Sequence, residues 1–313
     1  MAIDNSEIFI RKYELSIGDI TDVREQAIDS SSPPDITSKV LGAIEITSLR
    51  MKAVIRASKQ NQGGKAPPCT ISIYNASIET KQQIRQGFAV LLKAGYETDE
   101  GLDTVFAGQI VRVDTKRVGP DLVTVIICSD TAFAQNNLRV VGTLPPNSTS
   151  SQVINQLLGK LRGAGIPVAS LDLTTKASER LNKTYDDGYN YDGPILTKLA
   201  EVAKEVRYRV YTSLGVVHVE PIEHPAQAVA FIVRPENIKG QIQPRVDTTG
   251  TSDADKEPKV GISITTFLDG RFTLTTFVEI TERVFNHSGT YQPMAITHRL
   301  DTEGAEWDTE ITL

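Results

Sequence analysis

The segment GPDLVTVIICSD, which runs from Gly119 to Asp130, decides the fold class of this chain. Leu122 to Ile127 is apolar at every position but one, so a strand here would bury both faces and lie centrally in a sheet. The Gly-Pro-Asp at the start of the segment is a turn signal, and it follows a second strand-like run from Val105 to Val113. The two runs therefore predict a β-hairpin.

The sequence before this hairpin predicts more strands with short turns. Ile44 to Ile46 alternates in one phase and Leu49 to Ile55 in the opposite phase, which predicts a β-bulge near Thr47 and Ser48. The polar segment Lys59 to Pro68 carries glycine and proline and predicts a hairpin loop. Further strands are predicted from Thr70 to Tyr74, ending at Asn75, and from Phe88 to Ala94, ending at Gly95. Regular short strands over this length are typical of a barrel or a sandwich.

The middle of the chain changes from the period of strands to the period of helices. Thr149 to Gln152 fits a capping box, in which hydroxyl and amide side chains bind the free N–H groups of a helix start. The apolar residues that follow at helical spacing are Val153, Ile154, Leu157, Leu158 and Leu161. A second helix is predicted to open at Gly193 and Pro194. It leads into a hairpin of Arg207 to Tyr211 and Gly215 to Val219, so this part predicts a small α/β domain.

The last part of the chain returns to β patterns. Arg245 to Lys259 has almost nothing to bury and predicts a mobile loop. Asp269-Gly270 is a strong signal for a type I′ hairpin, because alternating residues flank it on both sides. These flanking runs are Ile262 to Thr266 and Phe272 to Thr276.

Two closing strands complete this second β region. Met294 to His298 and Trp307 to Leu313 are predicted to pair through a turn at Asp301 to Gly304. The chain as a whole is thus expected to be mainly β, with two barrel-like tube domains that flank a small α/β domain. The expected domains are residues 1–147, 148–226 and 227–313, with the mobile loop at 245–259.

The bulk composition describes an ordinary globular protein and argues against several classes. The chain has 313 residues, of which 40% are hydrophobic and 23% charged, and its net charge is -6. An acidic balance argues against a general nucleic-acid binder, which needs a basic face. The N-terminal residues lack the pattern of a signal peptide, and no apolar run is long enough to span a membrane. We therefore expect folding in a cytoplasm, which allows later assembly into a particle.

A search for metal-binding residues finds only weak candidates. His218 and Glu220 would share one face of a strand, and His224 follows Glu223. This spacing permits a metal site, although a polar surface hairpin explains it equally well. The acidic segment Asp186 to Gly193 lacks the ligand spacing of an EF-hand, so a polar, tyrosine-bearing loop is favoured over a calcium site.

The remaining candidates favour structural roles. Cys69 and Cys128 lie in apolar strand-like runs and are interpreted as small buried hydrophobes. Glu97, Asp99 and Glu100 form a carboxylate cluster, but they lie in a segment typical of a turn between strands. The sequence contains no nucleophile elbow and no phosphate-binding glycine motif. We therefore predict no catalytic residue, no cofactor and no metal.

Several short motifs, taken in their order along the chain, resemble a known family. They are Thr70 to Ser77 (TISIYNAS), Ala94 to Tyr96 (AGY), Val105 to Ile110 (VFAGQI), Gly119 to Asp130, and Thr297 to Trp307 (THRLDTEGAEW). This succession resembles the baseplate hub proteins of contractile-tailed phages, a family sometimes grouped with late control protein D. The resemblance covers nearly the whole chain. One departure is Leu300, where the family often has glycine, and it bears on the backbone of the closing turn.

The resemblance implies an architectural function. Such hubs carry two similar barrels in one chain and assemble as homotrimers, so that six barrels form a ring. The ring joins the hexameric tail tube, or its initiator protein, to a trimeric central spike, and it contacts other baseplate proteins. The expected location is the baseplate of a virion tail assembled in the host cytoplasm, without a membrane. Genomic DNA would pass through the ring without specific binding, and acidic residues in the channel would repel its phosphates.

Two other functions stay open at this point. One is a tail-associated peptidoglycan hydrolase, although the chain shows no spare segment of domain size for that activity. The other is the same hub in a tailocin or another phage-derived injection device. A type VI spike complex is expected to carry a fused spike, and no needle-like β repeat follows the barrels here.

Overall fold

The computed structural model describes residues 10–18, 44–60, 67–130, 138–169, 171, 178–222, 230–240, 242–247, 259–280 and 289–313. Strands dominate these residues, which confirms the mainly β expectation. The first part contains β1 (Arg11–Gly18), β2 (Ile44–Ile46), β3 (Met51–Ser58), β4 (Cys69–Tyr74), α1 (Ile78–Gln83), β5 (Ala89–Tyr96), β6 (Asp103–Val118) and β7 (Asp121–Ser129).

The middle part combines helices with short strands. It contains β8 (Arg139–Leu144), β9 (Ser148–Thr149), α2 (Ser150–Gly163), a 3-10 helix (Glu179–Asn182), β10 (Thr184–Tyr185), β11 (Tyr189–Pro194), α3 (Ile195–Glu205), β12 (Tyr208–Ser213) and β13 (Val216–Pro221). The last part contains β14 (Ala230–Val233), a 3-10 helix (Pro235–Asn237), β15 (Gln243–Asp247), β16 (Lys259–Phe267), β17 (Phe277–Ile280), β18 (Gly289–Tyr291), β19 (Ala295–Asp301) and β20 (Trp307–Thr312). No described helix is long and apolar enough to span a bilayer.

Strands from both ends of the chain share one antiparallel sheet. Its order is β15-β16-β20-β19-β3-β4-β7-β6-β5-β1-β2. As the sequence predicts, β7 lies inside the sheet, between β4 and β6, and the β6–β7 hairpin turns at Gly119, whose φ is 61°. The predicted C-terminal pair β19–β20 is also confirmed, and β19 pairs with β3 on its other side.

The sheet curls strongly at its β2 end. β2 and β3 are six strand spacings apart in the sheet order, which is roughly 29 Å in a flat sheet. Only residues 47–50 join the two strands, and the five Cα–Cα steps span at most about 18 Å. The sheet must therefore bend to bring β2 toward β3, although no ladder between described strands closes it into a barrel. The predicted bulge at Thr47 and Ser48 is wrong, because these residues join two separate strands.

Three clusters of buried side chains hold the fold together. The first lies within the curled part of the sheet and includes Leu15, Ile71 and Ile126. The second packs α2 and α3 against the strands of the middle part. The third lies in the last part and includes Ile264 and Val278.

β19 and β20 belong to both the first and the third cluster. Leu300 and Trp307 pack in the first cluster, whereas Ile296 and Ile311 of the same two strands pack in the third. Leu300 is fully buried and lies opposite Ala53 and Trp307 in ordinary strand pairing. The family's glycine is therefore not required at this position.

The helices of the middle part form as predicted. Thr149 is the N-cap of α2 and makes a reciprocal capping box with Gln152. The five apolar residues predicted for the inner face of α2 are all buried. α3 begins after Pro194, which is its N-cap. The hairpin β12–β13 turns at Leu214 and Gly215, both with positive φ, as a type I′ turn requires.

The hairpin predicted around Asp269-Gly270 is wrong. β16 pairs with β15 and β20, and no described strand lies between Leu268 and Thr276. Gly270 lacks the positive φ of a type I′ turn, but a Cβ there would lie 2.5 Å from Cβ of Asp103. Close packing explains this glycine. The alternating apolar side chains Phe272 and Leu274 are buried because the segment covers the third cluster.

Two predicted loops are only partly described. Within the loop predicted at Arg245 to Lys259, β15 extends to Asp247 and β16 begins at Lys259, while residues 248–258 lie outside the described part. For the loop predicted at Lys59 to Pro68, the flanking strands β3 and β4 pair as a hairpin requires. Residues 61–66 lie outside the described part.

Candidate functional site: a buried charge cluster at a junction

The hairpin β12–β13 separates two of the buried clusters. Val210, Val217 and Val219 point to one face and pack in the cluster of the helices. Tyr211 points to the other face and packs in the third cluster. Side chains alternate along a strand, so the residues between the valines must meet the sheet instead of the helices. These residues include two charged side chains, Arg209 and Glu220, each only 13% exposed.

Glu220 on β13 contacts several side chains where this hairpin meets the sheet. Its Oε1 lies 2.8 Å from Nζ of Lys59 and 3.1 Å from Nε of Arg209. Its Oε2 accepts a hydrogen bond of 2.8 Å from the hydroxyl of Tyr211. The Lys59 side chain is 0% exposed, so its ammonium depends on Glu220 for compensation.

The same cluster reaches the last part of the chain. Nε2 of Gln292 lies 3.4 Å from Oε1 of Glu220, and Arg209 donates to Oε1 of Gln292 at 3.3 Å. The backbone N–H of Lys59 donates to the carbonyl of Met294 at 2.9 Å. Lys59 follows β3, Glu220 lies on β13 and Gln292 precedes β19. The cluster therefore joins all three parts of the chain.

Burial dominates the electrostatics of the cluster. It lowers the pKa of Lys59 to about 8, and the Glu220 carboxylate opposes that shift. His218 stacks on the Tyr211 ring with 5.0 Å between centroids, and burial lowers the pKa of His218 to about 4. Burial also raises the pKa of Tyr211 above its ordinary value. At neutral pH, Lys59 is thus charged and His218 is neutral.

This arrangement favours a structural role. Both carboxylate oxygens of Glu220 already accept contacts, so neither is free to take a proton from a substrate. Removing one partner of a buried ion pair leaves the other charge uncompensated, which makes the geometry hard to change. What the cluster can do is hold three parts of the chain in fixed positions.

The structure brings together only part of the predicted histidine and carboxylate group. His218 and Glu220 share one face of β13, as the sequence predicts, but this face is half-buried and packs against other side chains: His218 stacks on Tyr211, and the Glu220 side chain is 13% exposed. Glu223 and His224 lie outside the described residues. Among the described residues, no three His, Cys, Asp or Glu side chains could hold a metal ion.

The acidic segment from Asp186 to Gly193 is a turn and a strand instead of the predicted loop. Residues 189–194 form β11, which pairs with β8. Asp192 lies 3.8 Å from the guanidinium of Arg139 on that strand. Tyr189 packs against Tyr185 with 4.6 Å between ring centroids. Both tyrosines therefore pack against the buried cluster of the middle part.

The two cysteines lie directly opposite each other on paired strands. Cys69 on β4 is the cross-strand partner of Cys128 on β7, and both are free and buried. Burial raises the pKa of Cys69 to about 12 and also raises that of Cys128. Thiols that stay protonated are poor nucleophiles. The prediction that both are small buried hydrophobes is confirmed.

The predicted carboxylate cluster follows β5, as a turn should. Glu97 forms an ion pair with Lys12 on the neighbouring strand β1. Asp99 and Glu100 line a cleft of about 640 Å³ between this turn and the last part of the chain. The cluster is thus split between two environments.

Sequence reasoning missed Lys59, Arg209 and Tyr211. The sequence contains a signal for two of them. Arg209 and Tyr211 occupy alternate positions of one predicted strand, and His218 and Glu220 occupy alternate positions of the next. The structure pairs them in register, Arg209 with Glu220 and Tyr211 with His218. Lys59 lies 161 positions before Glu220, so no local pattern could identify it.

No family model matches this sequence, and no curated protein matches it either. Among solved structures, the fold is that of phage tail proteins. A tail protein from Neisseria meningitidis MC58 matches with a TM-score of 0.61 at 10% identity over 96% of both chains. The 43 kDa tail protein of prophage MuSo2 from Shewanella oneidensis matches with a TM-score of 0.59 at 11% identity, over 96% of this chain and 95% of that one.

A third match extends the comparison beyond phages. A structure of the Francisella PdpA-VgrG complex matches with a TM-score of 0.54 at 7% identity, over 98% of this chain and 53% of that chain. At these identities the likeness shows the fold alone. The resemblance to phage tail hubs that the motifs indicate is confirmed at the level of the fold.

Proposed function

We propose that this chain is a non-enzymatic structural hub in the baseplate of a contractile phage tail. The observation that carries the proposal is the fold match to two phage tail proteins over 96% of this chain. The match includes both β regions and the helices between them. The proposed role therefore belongs to the fold as a whole and not to one pocket.

The proposed hub is a homotrimer in which each copy supplies two barrel-like units to a ring of six. Such a ring would join a hexameric tube, or its initiator protein, to a trimeric spike among other baseplate proteins. Two hydrophobic clusters, one within the curled part of the sheet and the other in the last part of the chain, support two units per chain. Residues 1–147, 148–226 and 227–313 are the proposed domains. One change to these ranges is proposed: the first boundary moves from residue 147 to a point before β8, because Val140 and Leu144 of β8 pack with the helices.

The net charge of -6 fits passage of DNA through the proposed ring. Carboxylates on the channel wall would repel phosphates and leave the DNA free to move. A reconstructed ring with a basic channel would contradict this part of the proposal.

The buried charge cluster supports a hub that transmits mechanical force between the tube and the spike. A hub between a tube and a spike has to keep its parts in register while the tail acts on it. Lys59, Glu220 and Gln292 tie the three parts of the chain through buried contacts. Because breaking one side of a buried ion pair is costly, such contacts would hold the three parts of the proposed hub in fixed positions.

The Francisella match favours a second candidate of the same kind, the hub of a phage-derived injection device. That complex contains VgrG, and this chain spans about half of the matched chain. The two candidates share one assembly role and differ in the particle that carries the hub.

Mass measurement of the purified chain, alone and with the candidate spike protein, tests the proposal. The expected result is a trimer, formed by the chain itself or completed by the spike. A chain that stays monomeric in both cases overturns the hub. A peptidoglycan zymogram tests the hydrolase alternative, and clear lysis by the purified chain would show that the non-enzymatic role is wrong.

A further inference from the structure

A basic hairpin tip and an acidic cleft lie at opposite ends of strand β6. The cleft begins beside Asp103, the first residue of β6, and the hairpin turns after Val118, its last residue. About fifteen residue steps of roughly 3.3 Å put on the order of 50 Å between them. One copy of the chain therefore cannot bring its own hairpin tip to its own cleft.

The hairpin tip presents a cation and an exposed apolar side chain on each face. Lys116 and Val118 share one face of β6, and Arg117 lies opposite Leu122 on the other. Val118 is 50% exposed and Leu122 is 37% exposed. Neither cation forms an ion pair with a described residue. Asp121 at the turn accepts a hydrogen bond from Asn75 and lies 3.9 Å from Arg50, so its charge is already partnered within the chain. The two cations and the exposed apolar side chains of the tip remain as a basic and apolar surface.

The backbone next to this tip is also unpartnered on one side. β5 pairs with β6 as far as Gln109, whereas β6 continues to Val118 with only β7 beside it in the described chain. A free strand edge offers N–H and C=O groups to another chain. Charges on such an edge also discourage nonspecific pairing, so a partner has to match them.

The cleft has the complementary charge. Its volume of about 640 Å³ is of the size that takes several side chains. Asp99, Glu100 and Asp103 line it. A fourth carboxylate, Asp269, is held by the guanidinium of Arg271 at 2.9 and 2.7 Å. Arg271 also attracts Asp99 and Asp103, but it is one cation among four carboxylates in the lining, so the cleft keeps a negative charge.

The cleft is also lined by apolar side chains and by carboxylates that repel each other. Ile232 on β14 is 54% exposed and lines the cleft beside Phe231. Burial raises the pKa of Asp103, and the neighbouring carboxylate of Asp269 raises it further. A cation placed in the cleft would relieve this repulsion. An occupant with both cations and apolar side chains fits these walls.

We propose that the hairpin tip of one copy, residues 116–122, docks into this cleft of a second copy. The proposal deepens the proposed function and rests on it, because it supplies the contact between neighbouring copies. The two surfaces differ, so the contact is heterologous, and heterologous contacts close into rings when the rotation per copy allows. The opposite charges orient the encounter and make assembly weaker at high salt.

Charge reversal of each surface in the full-length chain tests the proposal. The hairpin variant carries Lys116→Glu with Arg117→Glu, the cleft variant carries Glu100→Lys, and a third variant combines them. A matched control reverses two exposed cations elsewhere, Arg85→Glu with Lys204→Glu. Oligomeric state is measured by sedimentation at several protein and salt concentrations. Near-ultraviolet spectra of Trp307 show whether each variant is folded.

The expected result is loss of trimer in the hairpin and cleft variants, with association weakened on the order of tenfold or more. The combined variant should recover association, and the control should behave as the original chain. An original chain that forms trimers while all variants do the same overturns the docking contact and leaves the proposed function standing. An original chain that stays monomeric even with the spike protein overturns both.

Discussion

Glu220 is the residue on which the buried charge cluster depends. Replacement of Glu220 by Gln keeps its shape but leaves Lys59 and Arg209 near an uncharged group. The Lys59 side chain is 0% exposed, so water cannot replace the lost carboxylate. We expect Glu220→Gln to lower the free energy of unfolding by about 3–5 kcal/mol, measured by urea denaturation.

Glu201→Gln is the matched control. Glu201 also pairs with a lysine, since its Oε2 lies 2.8 Å from Nζ of Lys198, but its side chain is 48% exposed. Exposed pairs contribute about 0–1 kcal/mol, so this variant should change stability little. Equal effects of the two substitutions would show that burial of the Glu220 cluster has no energetic consequence.

Asp130 gives the chain a pH-dependent stability. Its Oδ1 is buried with no hydrogen-bond partner among the described residues, beside a cavity of about 30 Å³, and burial raises the pKa of Asp130 to about 6. Between its ordinary pKa of 3.8 and about 6, the folded state holds a proton that the unfolded state has lost. Stability from this group is therefore full below pH 3.8 and is lost as pH rises through about 6.

His298 lines the same cavity and acts in the opposite direction. Burial lowers its pKa to about 4 from 6.5, so between these values the unfolded state holds the extra proton. Stability from His298 is present above pH 6.5 and is lost as pH falls toward 4. Between about pH 4 and pH 6 the two groups change the free energy of unfolding in opposite directions. In the original chain the two effects therefore partly cancel.

Asp130→Asn separates the two effects. The difference in unfolding free energy between the variant and the original chain should be near zero at pH 4. It should grow with pH and level off above pH 6 at roughly 1–3 kcal/mol in favour of the variant. Urea denaturation at a series of pH values measures this difference. A pH-independent difference would show that the Asp130 carboxylate is not buried in the folded state.

Single residues show where sequence reasoning ends. The burial of Cys69 and Cys128 followed from their apolar neighbours, because strand-like runs bury small side chains wherever they pair. The role of Lys59 could not be predicted, since its partner Glu220 is distant in sequence and polar loops normally keep lysine in water. Its burial is a tertiary effect: β3 ends against the hairpin of the middle part.

Secondary-structure elements were predictable where one local pattern decides them. α2 has a complete capping box and one apolar face, and both signals lie within its own residues. The segment Phe272 to Thr276 alternates like a strand, but its apolar side chains are buried because it covers the third cluster. Alternation reports which side chains are buried, and a covering loop can satisfy it without a ladder.

The cap of α2 leads to a prediction at the scale of the element. The hydroxyl of Thr149 accepts a hydrogen bond from the N–H of Gln152 at 3.3 Å, and the Gln152 side chain accepts one from the N–H of Thr149 at 2.9 Å. Thr149→Ala removes the first bond and should lower the free energy of unfolding by about 1 kcal/mol in urea.

Two further variants are controls for this prediction. Thr149→Ser keeps a hydroxyl and should retain most of the stability. Thr143→Ala makes the same change at an exposed site on β8 and should alter stability by no more than about 0.5 kcal/mol. If the serine variant loses as much as the alanine variant, the hydroxyl is not what stabilises this helix end.

At the scale of the whole molecule, the sheet makes one folding unit out of both ends of the chain. β19 and β20 each place one side chain in the first cluster and another in the third. The sequence predicted two barrel-like domains, because each β region shows its own strands and turns, but it did not predict the ladder that joins them. Pairing of β3 with β19 joins residues more than two hundred positions apart, and no local pattern contains such a contact.

Because one sheet joins the two β regions, the fluorescence of a single tryptophan should report the unfolding of both. Trp307 is the only tryptophan of the chain and is buried in the first cluster. Ile264 is fully buried in the third cluster and lies opposite Ile311, on the same strand as Trp307. Ile264→Ala should destabilise the third cluster by about 2–5 kcal/mol. Because β20 spans both clusters, we expect the Trp307 fluorescence transition in urea to shift by the same free energy.

Far-ultraviolet circular dichroism provides the second probe, and it should give the same midpoint as Trp307 fluorescence. Ile78→Ala is the control, because Ile78 is 66% exposed and its truncation should leave both midpoints unchanged. A variant in which circular dichroism falls first while the Trp307 transition stays in place would mean that the two β regions unfold separately. In that case the β3–β19 ladder does not transmit stability, and a hub built on this fold would need its partners to keep the two regions together.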